Sequence, residues 1–137
     1  MIRPIMTKQF FLRQPSELAG EADLSVARDL ADTLAANLGG CIGMAANMIG
    51  ERKRIIAFVD GAGEINVMLN PEITFAEHEY LAEEGCLSLP GTREAKRFKH
   101  IEVRWQDETL QPHSGSFEGW VAQVIQHEID HCNGVLI

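Results

Sequence analysis

The chain has 137 residues, 45% of them hydrophobic, which predicts one domain spanning residues 1–137 around a single core. Twelve lysines and arginines against 20 aspartates and glutamates give a net charge of −8, so we expect no direct nucleic-acid binding. The N-terminal stretch lacks the apolar core of a signal peptide, and no later apolar run reaches membrane-spanning length. We therefore expect a cytoplasmic protein without membrane contact.

Periodic apolar residues predict a helix over residues 23–38, with Asp23 or Ser25 capping its start and Gly39 with Gly40 ending it. Residues 54–59 and 65–69 flank the turn sequence DGAGE, which predicts an antiparallel hairpin. Alternating apolar residues predict two further strands, over residues 73–82 and 100–105. A second helix is predicted over residues 118–134, with Gly134 as its cap, so the expected fold class is α+β.

The second helix contains the sequence HEIDH, in which His127 and His131 are four residues apart and project from one face of consecutive turns. Two imidazoles in this arrangement can bind one metal ion. Glu128 lies beside them, where a carboxylate can act as a general base toward metal-bound water. The motif therefore predicts both metal ligands and a catalytic base.

A catalytic metal site usually has three protein ligands and an open position, so a third ligand is expected elsewhere in the chain. Three cysteines, an odd number in a chain without an export signal, favour reduced thiols or a metal thiolate over disulfides. Cys86 is the best candidate ligand, since the turn at Pro90 could hold its thiolate rigidly. Cys132 follows His131 about 100° round the helix and faces elsewhere. Cys41 stays open on these grounds.

The sequences CIGMAAN, EGCLS and HEIDH occur in this order, and the chain resembles the peptide deformylases over nearly its whole length. The resemblance implies a fold of antiparallel strands around a central helix that carries HEIDH, with a further helix near the N-terminus. It implies that Cys86, His127 and His131 bind the metal and that Glu128 is the general acid/base. The implied cofactor is one divalent ion, Fe²⁺ or Zn²⁺, with Ni²⁺ or Co²⁺ as substitutes.

The resemblance also implies the reaction, in which metal-bound water hydrolyses the N-formyl group of formyl-methionine on nascent polypeptides, with association with the ribosome. The negative oxygen that develops would receive a hydrogen bond from the backbone N–H of Leu87. Gly43 falls on the second glycine of the first motif and is assigned to the catalytic site. Met48 falls on the family's glutamine, whose amide donates to the same oxygen, and a methionine cannot donate. A shift of one residue would bring the amide of Asn47 there instead.

An apolar pocket for the methionine side chain is expected beside the motifs. The residues predicted to line this substrate-binding pocket are Ile42, Met48, Glu84, Trp120 and Val124. Asp130, within HEIDH, could hydrogen-bond a ligand or the neighbouring backbone.

Two other interpretations stay open. The first is a deformylase-like metal-binding protein that has weak activity or a different N-acyl substrate because Met48 replaces the glutamine. The second is an unrelated HExxH metallopeptidase with a different third ligand, in which Cys86 would not bind the metal.

Overall fold

The structure is a computed structural model that describes residues 1–137. Its helices are α1 (Gln9–Leu12), α2 (Leu24–Ala36) and α3 (Gly119–Cys132), with 3-10 turns at Glu21–Asp23 and Ala46–Ile49. Its strands are β1 (Gly43–Ala45), β2 (Ile55–Val59), β3 (Ile65–Cys86), β4 (Leu89–Gln106) and β5 (Pro112–Glu118).

The five strands form one sheet in the order β1-β2-β3-β4-β5, and each neighbouring pair is antiparallel. Most of the pairing is in the long hairpin of β3 and β4, while β1 and β5 are short edge strands. The predicted α+β class, with antiparallel strands around the helix that carries HEIDH, is confirmed. None of the helices is both long and apolar enough to cross a membrane.

Strand β2 lies between two clusters of buried side chains. Ile55 and Ala57 point into the cluster that contains the apolar face of α2. Ile56 and Phe58 point into the cluster that contains the apolar face of α3. Since successive side chains of a strand face opposite sides of a sheet, β2 anchors both helices at once.

Helix α2 begins near the predicted residue, but neither predicted side chain caps it. Asp23 occupies the N-cap position, yet its carboxylate accepts a hydrogen bond from the N–H of Gly20 at 2.9 Å. Ser25 lies inside the first turn. The carboxylate of Asp23, which was predicted to cap α2, therefore caps the preceding 3-10 turn instead.

The end of α2 comes before the predicted Gly39 and Gly40. The side chain of Asn37 donates to the carbonyl of Thr33 at 2.7 Å, and its backbone N–H bonds the carbonyl of Leu34. These bonds satisfy the last carbonyls locally, so the helix stops at Ala36.

The predicted strands over residues 65–69 and 73–82 are parts of one strand, β3, which continues through Pro71. A proline cannot donate to a ladder, and β3 accommodates it with a register shift between Leu69 and Glu72. Asn70 adopts a positive φ of 53° at this irregularity, and its side-chain amide donates to Gln106 at 2.7 Å. The hydrogen bond to β4 replaces part of the pairing that Pro71 removes.

The sequence does not predict α1, β1, β5 or the two 3-10 turns, and β4 is much longer than the predicted strand over residues 100–105. The hairpin around DGAGE and the HEIDH helix are confirmed with small shifts. Gly134 ends this helix with a φ of 76°, and the N–H of Val135 bonds the carbonyl of Asp130. A Cβ at Gly134 would lie 2.4 Å from the carbonyl oxygen of Arg13, so only glycine fits there.

Candidate active site

Three predicted ligands meet where the end of β3 approaches α3. Sγ of Cys86 lies 3.4 Å from Nε2 of His131, which lies 3.2 Å from Nε2 of His127. All three donor atoms lie within 4.8 Å of one another. Cys41 does not join them, because its thiol contacts the carbonyl oxygen of Asn37 at 3.6 Å and burial raises its pKa to about 11.

The spacing of these donors suits a metal ion. A tetrahedral ion with nitrogen ligands at about 2.0 Å and sulfur at about 2.3 Å places the nitrogens about 3.3 Å apart and the sulfur about 3.5 Å from each. The distances around His131 are close to these values. A thiolate with two imidazoles is also a donor set that divalent zinc and iron accept.

The carboxylate of Glu84 orients the ring of His127 through Nδ1, the ring nitrogen that faces away from the donor cluster. Its Nδ1 lies 2.8 Å from Oε1 of Glu84, so a proton on Nδ1 leaves Nε2 free to bind metal. Burial alone would raise the pKa of Glu84, but hydrogen bonds from His127 and Arg97 outweigh it and lower this pKa to about 2. Gln123 adds a further bond to this carboxylate at 2.9 Å.

Arg97, inside β4, joins two carboxylates beneath the site. It contacts Glu84 through two nitrogens, the shorter contact being 2.7 Å, and reaches Asp130 at 2.7 Å. Asp130 therefore bonds a buried arginine rather than a metal ligand. No sequence pattern indicated this link or the role of Gln123, because neither residue lies at ligand spacing and both act through Glu84.

The Glu84 network predicts an acid-dependent loss of stability. In the folded protein the pKa of Glu84 lies below its ordinary value of 4.5. Its ionised carboxylate therefore stabilises the fold above about pH 4.5, and this stabilisation is lost as pH falls toward about 2. In metal-free protein, Glu84→Gln should therefore unfold at a lower temperature than wild type at pH 7, and the difference should shrink on acidification. The exposed Glu94→Gln is the control, and a difference that does not depend on pH would contradict the prediction.

Glu128 is 3% exposed and lines the same cavity as the ligands. It is not part of the donor cluster, and its Oε1 has no hydrogen-bond partner among protein atoms. Burial is the largest influence on its pKa and raises it to about 7. A carboxyl group with such a pKa can both take up and release a proton near neutral pH.

A cavity of about 370 Å³ opens beside the donor cluster. The predicted pocket residues all line it: Ile42, Met48, Glu84, Trp120 and Val124. Glu84 differs from the others because its carboxylate is already bonded to Arg97, His127 and Gln123, which makes it a support for His127. Contact of the others with substrate stays a prediction.

Leu87 also lines the cavity, directly after Cys86 in the turn between β3 and β4. Its backbone N–H makes no hydrogen bond within the protein. A free N–H beside the candidate ligand Cys86 is available as a donor, and its role toward a developing negative oxygen stays a prediction.

Met48 faces the cavity and Asn47 does not, so the structure gives no support to the one-residue shift that would bring the amide of Asn47 there. The side chain of Met48 is 1% exposed and lines the cavity, with Sδ accepting the N–H of Ala45 at 3.5 Å. The amide of Asn47 points away from the cavity and donates to the carbonyl of His131 at 3.0 Å. The cavity therefore has no side-chain amide at this position.

Gly43 provides space for the base. A Cβ at this residue would lie 2.6 Å from Cγ1 of Val124 and 2.9 Å from Oε2 of Glu128. Both distances are too short for real contacts, so a side chain would displace the carboxylate and the pocket wall.

We expect Gly43→Ala to lower kcat at least about tenfold, because small misplacements of a catalytic group are costly. Steady-state kinetics on the metal-loaded protein measure this. Gly61→Ala is the control, since a Cβ there meets nothing within 4 Å. A wild-type kcat in Gly43→Ala would show that catalysis does not require the carboxylate of Glu128 at its present position.

An HExxH helix with a cysteine as third donor and a buried carboxylate beside the open cavity defines a metal-dependent hydrolase site. The family model for polypeptide deformylase matches residues 3–137. The chain belongs to this family.

Relatives support the assignment over the whole chain. The peptide deformylase of Clostridium beijerinckii is 48% identical over 137 residues, covering 100% of both chains. The solved peptide deformylase of Thermotoga maritima superposes with a TM-score of 0.88 at 30% identity, covering 99% of this chain and 95% of that one. The solved peptide deformylase of Thermus thermophilus gives a TM-score of 0.87 at 32% identity, covering 99% and 83%.

Proposed function

We propose that this chain hydrolyses the formyl group from N-formylmethionyl peptides as a metal-dependent amide hydrolase. The observation that carries the proposal is the cluster of Cys86, His127 and His131 with the carboxylate of Glu128 in the same cavity. The cavity is partly apolar, which suits a methionine side chain next to the formyl group.

Each side chain has a distinct part in this reaction. Cys86, His127 and His131 would hold a divalent ion, which supplies Lewis acidity and makes water nucleophilic near neutral pH. Glu128 takes the proton from the attacking water and passes it to the departing amine nitrogen. The C–N bond then breaks and releases formate and a peptide with a free N-terminal amine. The N–H of Leu87 donates to the oxygen that becomes negative.

Fe²⁺ or Zn²⁺ is the proposed ion, since one thiolate and two imidazoles suit both, and Ni²⁺ or Co²⁺ would substitute. We further propose that the protein works as a single domain. Since formylmethionine is found on newly made chains, we place its action in the cytoplasm, close to the ribosome.

The proposal is tested with a formyl-Met tripeptide and protein loaded in turn with Fe²⁺, Zn²⁺, Ni²⁺ and Co²⁺. Formate release is expected with at least Fe²⁺, loss of activity with a chelator, and recovery on adding the ion back. An acetyl-Met tripeptide is the matched control and should react far more slowly. Faster hydrolysis of the acetyl peptide would favour a different N-acyl substrate.

The family match contradicts an unrelated HExxH metallopeptidase. A second measurement tests Cys86 as the third ligand. Cys86→Ser should lose most of its metal, measured by elemental analysis after dialysis, because a hydroxyl is a poor ligand for these ions. Full retention of metal by this variant would show that another residue is the third ligand.

A further inference from the structure

Asn47 lies against the helix that carries the metal ligands. It is the second residue of the 3-10 turn Ala46–Ile49, and its side chain is completely buried. Nδ2 donates to the backbone carbonyl of His131 at 3.0 Å. Its other polar atom, Oδ1, is buried and has no hydrogen-bond partner among protein atoms.

His131 carries the matching unsatisfied atom. Its Nε2 faces Cys86 and His127, so metal binding at this nitrogen leaves the proton on Nδ1. Nδ1 is buried and also has no partner among protein atoms. His127 differs, because its Nδ1 meets the carboxylate of Glu84.

A metal-binding histidine almost always donates its second N–H to an acceptor, which fixes the ring orientation and the tautomer. A buried N–H without an acceptor is costly. Of the buried acceptors without a partner, Oδ1 of Asn47 belongs to a side chain already hydrogen-bonded to His131. One carboxamide can thus serve both the backbone and the ring of the same residue.

We propose that Asn47 is a positioning residue of the metal site. Its Oδ1 accepts the Nδ1–H of His131 through one bridging water, since the two atoms are not directly bonded, while its Nδ2 donates to the carbonyl of that residue. The inference rests on the metal site of the proposed function. It assigns the short turn after β1 two tasks, since Met48 faces the cavity and its neighbour Asn47 supports the ligand.

The test separates the oxygen of Asn47 from its amide N–H. Asn47→Asp and Asn47→Ser keep an oxygen acceptor, whereas Asn47→Leu keeps the bulk but no polar atom. Zn²⁺ affinity is measured by competition with a chelator, and the unfolding temperature of the metal-free protein is measured separately. Thr33→Val, a buried polar-to-apolar change on α2, is the control for a general loss of stability.

We expect Asn47→Leu to weaken Zn²⁺ binding about 10- to 100-fold, the usual effect of removing a ligand's hydrogen-bond partner. The Asp and Ser variants should bind within a fewfold of wild type, even where the metal-free protein is less stable. In the Co²⁺-substituted protein, the exchangeable Nδ1 proton of His131 should give a shifted NMR signal that exchanges faster in Asn47→Leu.

Wild-type Zn²⁺ affinity in Asn47→Leu would overturn the inference, as would equal losses in the Leu, Asp and Ser variants. The second result would mean that only the bond to the backbone carbonyl matters. Failure of the proposed function is a different outcome, in which Cys86→Ser binds metal as tightly as wild type. If Asn47→Asp fails to fold, the Zn²⁺ affinities of Asn47→Ser and Asn47→Leu still test the inference.

Discussion

Replacing Glu128 by glutamine is expected to lower kcat/KM for a formyl-Met peptide about 1,000-fold, the middle of the range for removal of a general acid or base. Glutamine has nearly the same shape and would fill the same buried position, but it cannot take a proton from water. Oε1 of Glu128 makes no hydrogen bond within the protein, so the substitution breaks no hydrogen bond at this atom. The loss should therefore appear in kcat.

The measurement requires matched metal content, because a variant that lost its ion would also be inactive. Glu128→Gln should retain one ion per chain, as the carboxylate is not among the donors. Glu118→Gln, an exposed carboxylate at the start of the same helix, is the control and should stay within about twofold of wild type. Retention of more than a tenth of the activity by Glu128→Gln would assign the proton transfer to another group.

Met48→Gln is expected to raise kcat about 100-fold, the reverse of what other hydrolases lose on removal of one oxyanion donor. Sδ of Met48 accepts the N–H of Ala45 at 3.5 Å. A glutamine carbonyl oxygen can take over this bond, and its NH₂ group then projects into the cavity. The native enzyme should be active but slow, relying on the metal and the Leu87 N–H.

Met48→Leu separates the donor from the packing, because it has a similar volume and no polar atom. It should not show the increase, and both variants should fold with a full complement of metal. Equal rates in wild type and Met48→Gln would mean that this site stabilises the oxyanion without a side-chain amide. A gain for the acetyl peptide alone would instead indicate a different natural substrate.

The sequence could predict which side chains cluster at the candidate site, because most of their arrangement is local. His127, Glu128 and His131 are placed by the period of a single helix, which sequence spacing specifies directly. Cys86 was found through its five-residue motif, and the residues alone left Cys41 open. The folded chain decides between them by turning the thiol of Cys41 toward Asn37.

The supporting residues could not be predicted, because their partners are distant in sequence. Asn47 meets His131 only after β1 packs on α3, and its sequence context suggested a role in the cavity instead. Arg97 contacts Glu84 and Asp130, which lie 13 and 33 residues away along the chain. The spacing of residues within one helix or strand cannot indicate contacts between residues that are distant in sequence.

The errors in the fold have similarly specific causes. Pro71 normally interrupts a strand, yet the bulge and Asn70 carry β3 through it. Strand β5 was missed because it is a mostly exposed edge strand, so its residues PHSGSFE show no apolar alternation. Strand β1 has three residues, all buried, and is too short to produce any alternation.

The hydrogen bond from Gln123 to Glu84 connects the cavity wall to His127, one of the three proposed metal ligands. A peptide that fills the cavity and restrains Gln123 would also restrain Glu84 and the imidazole it holds. Peptide binding and metal binding are then linked, and linkage is reciprocal, so each must tighten the other by the same factor. We therefore expect a bound product peptide to raise the affinity for the ion, measured by competition with a chelator, even if the peptide itself makes no bond to it.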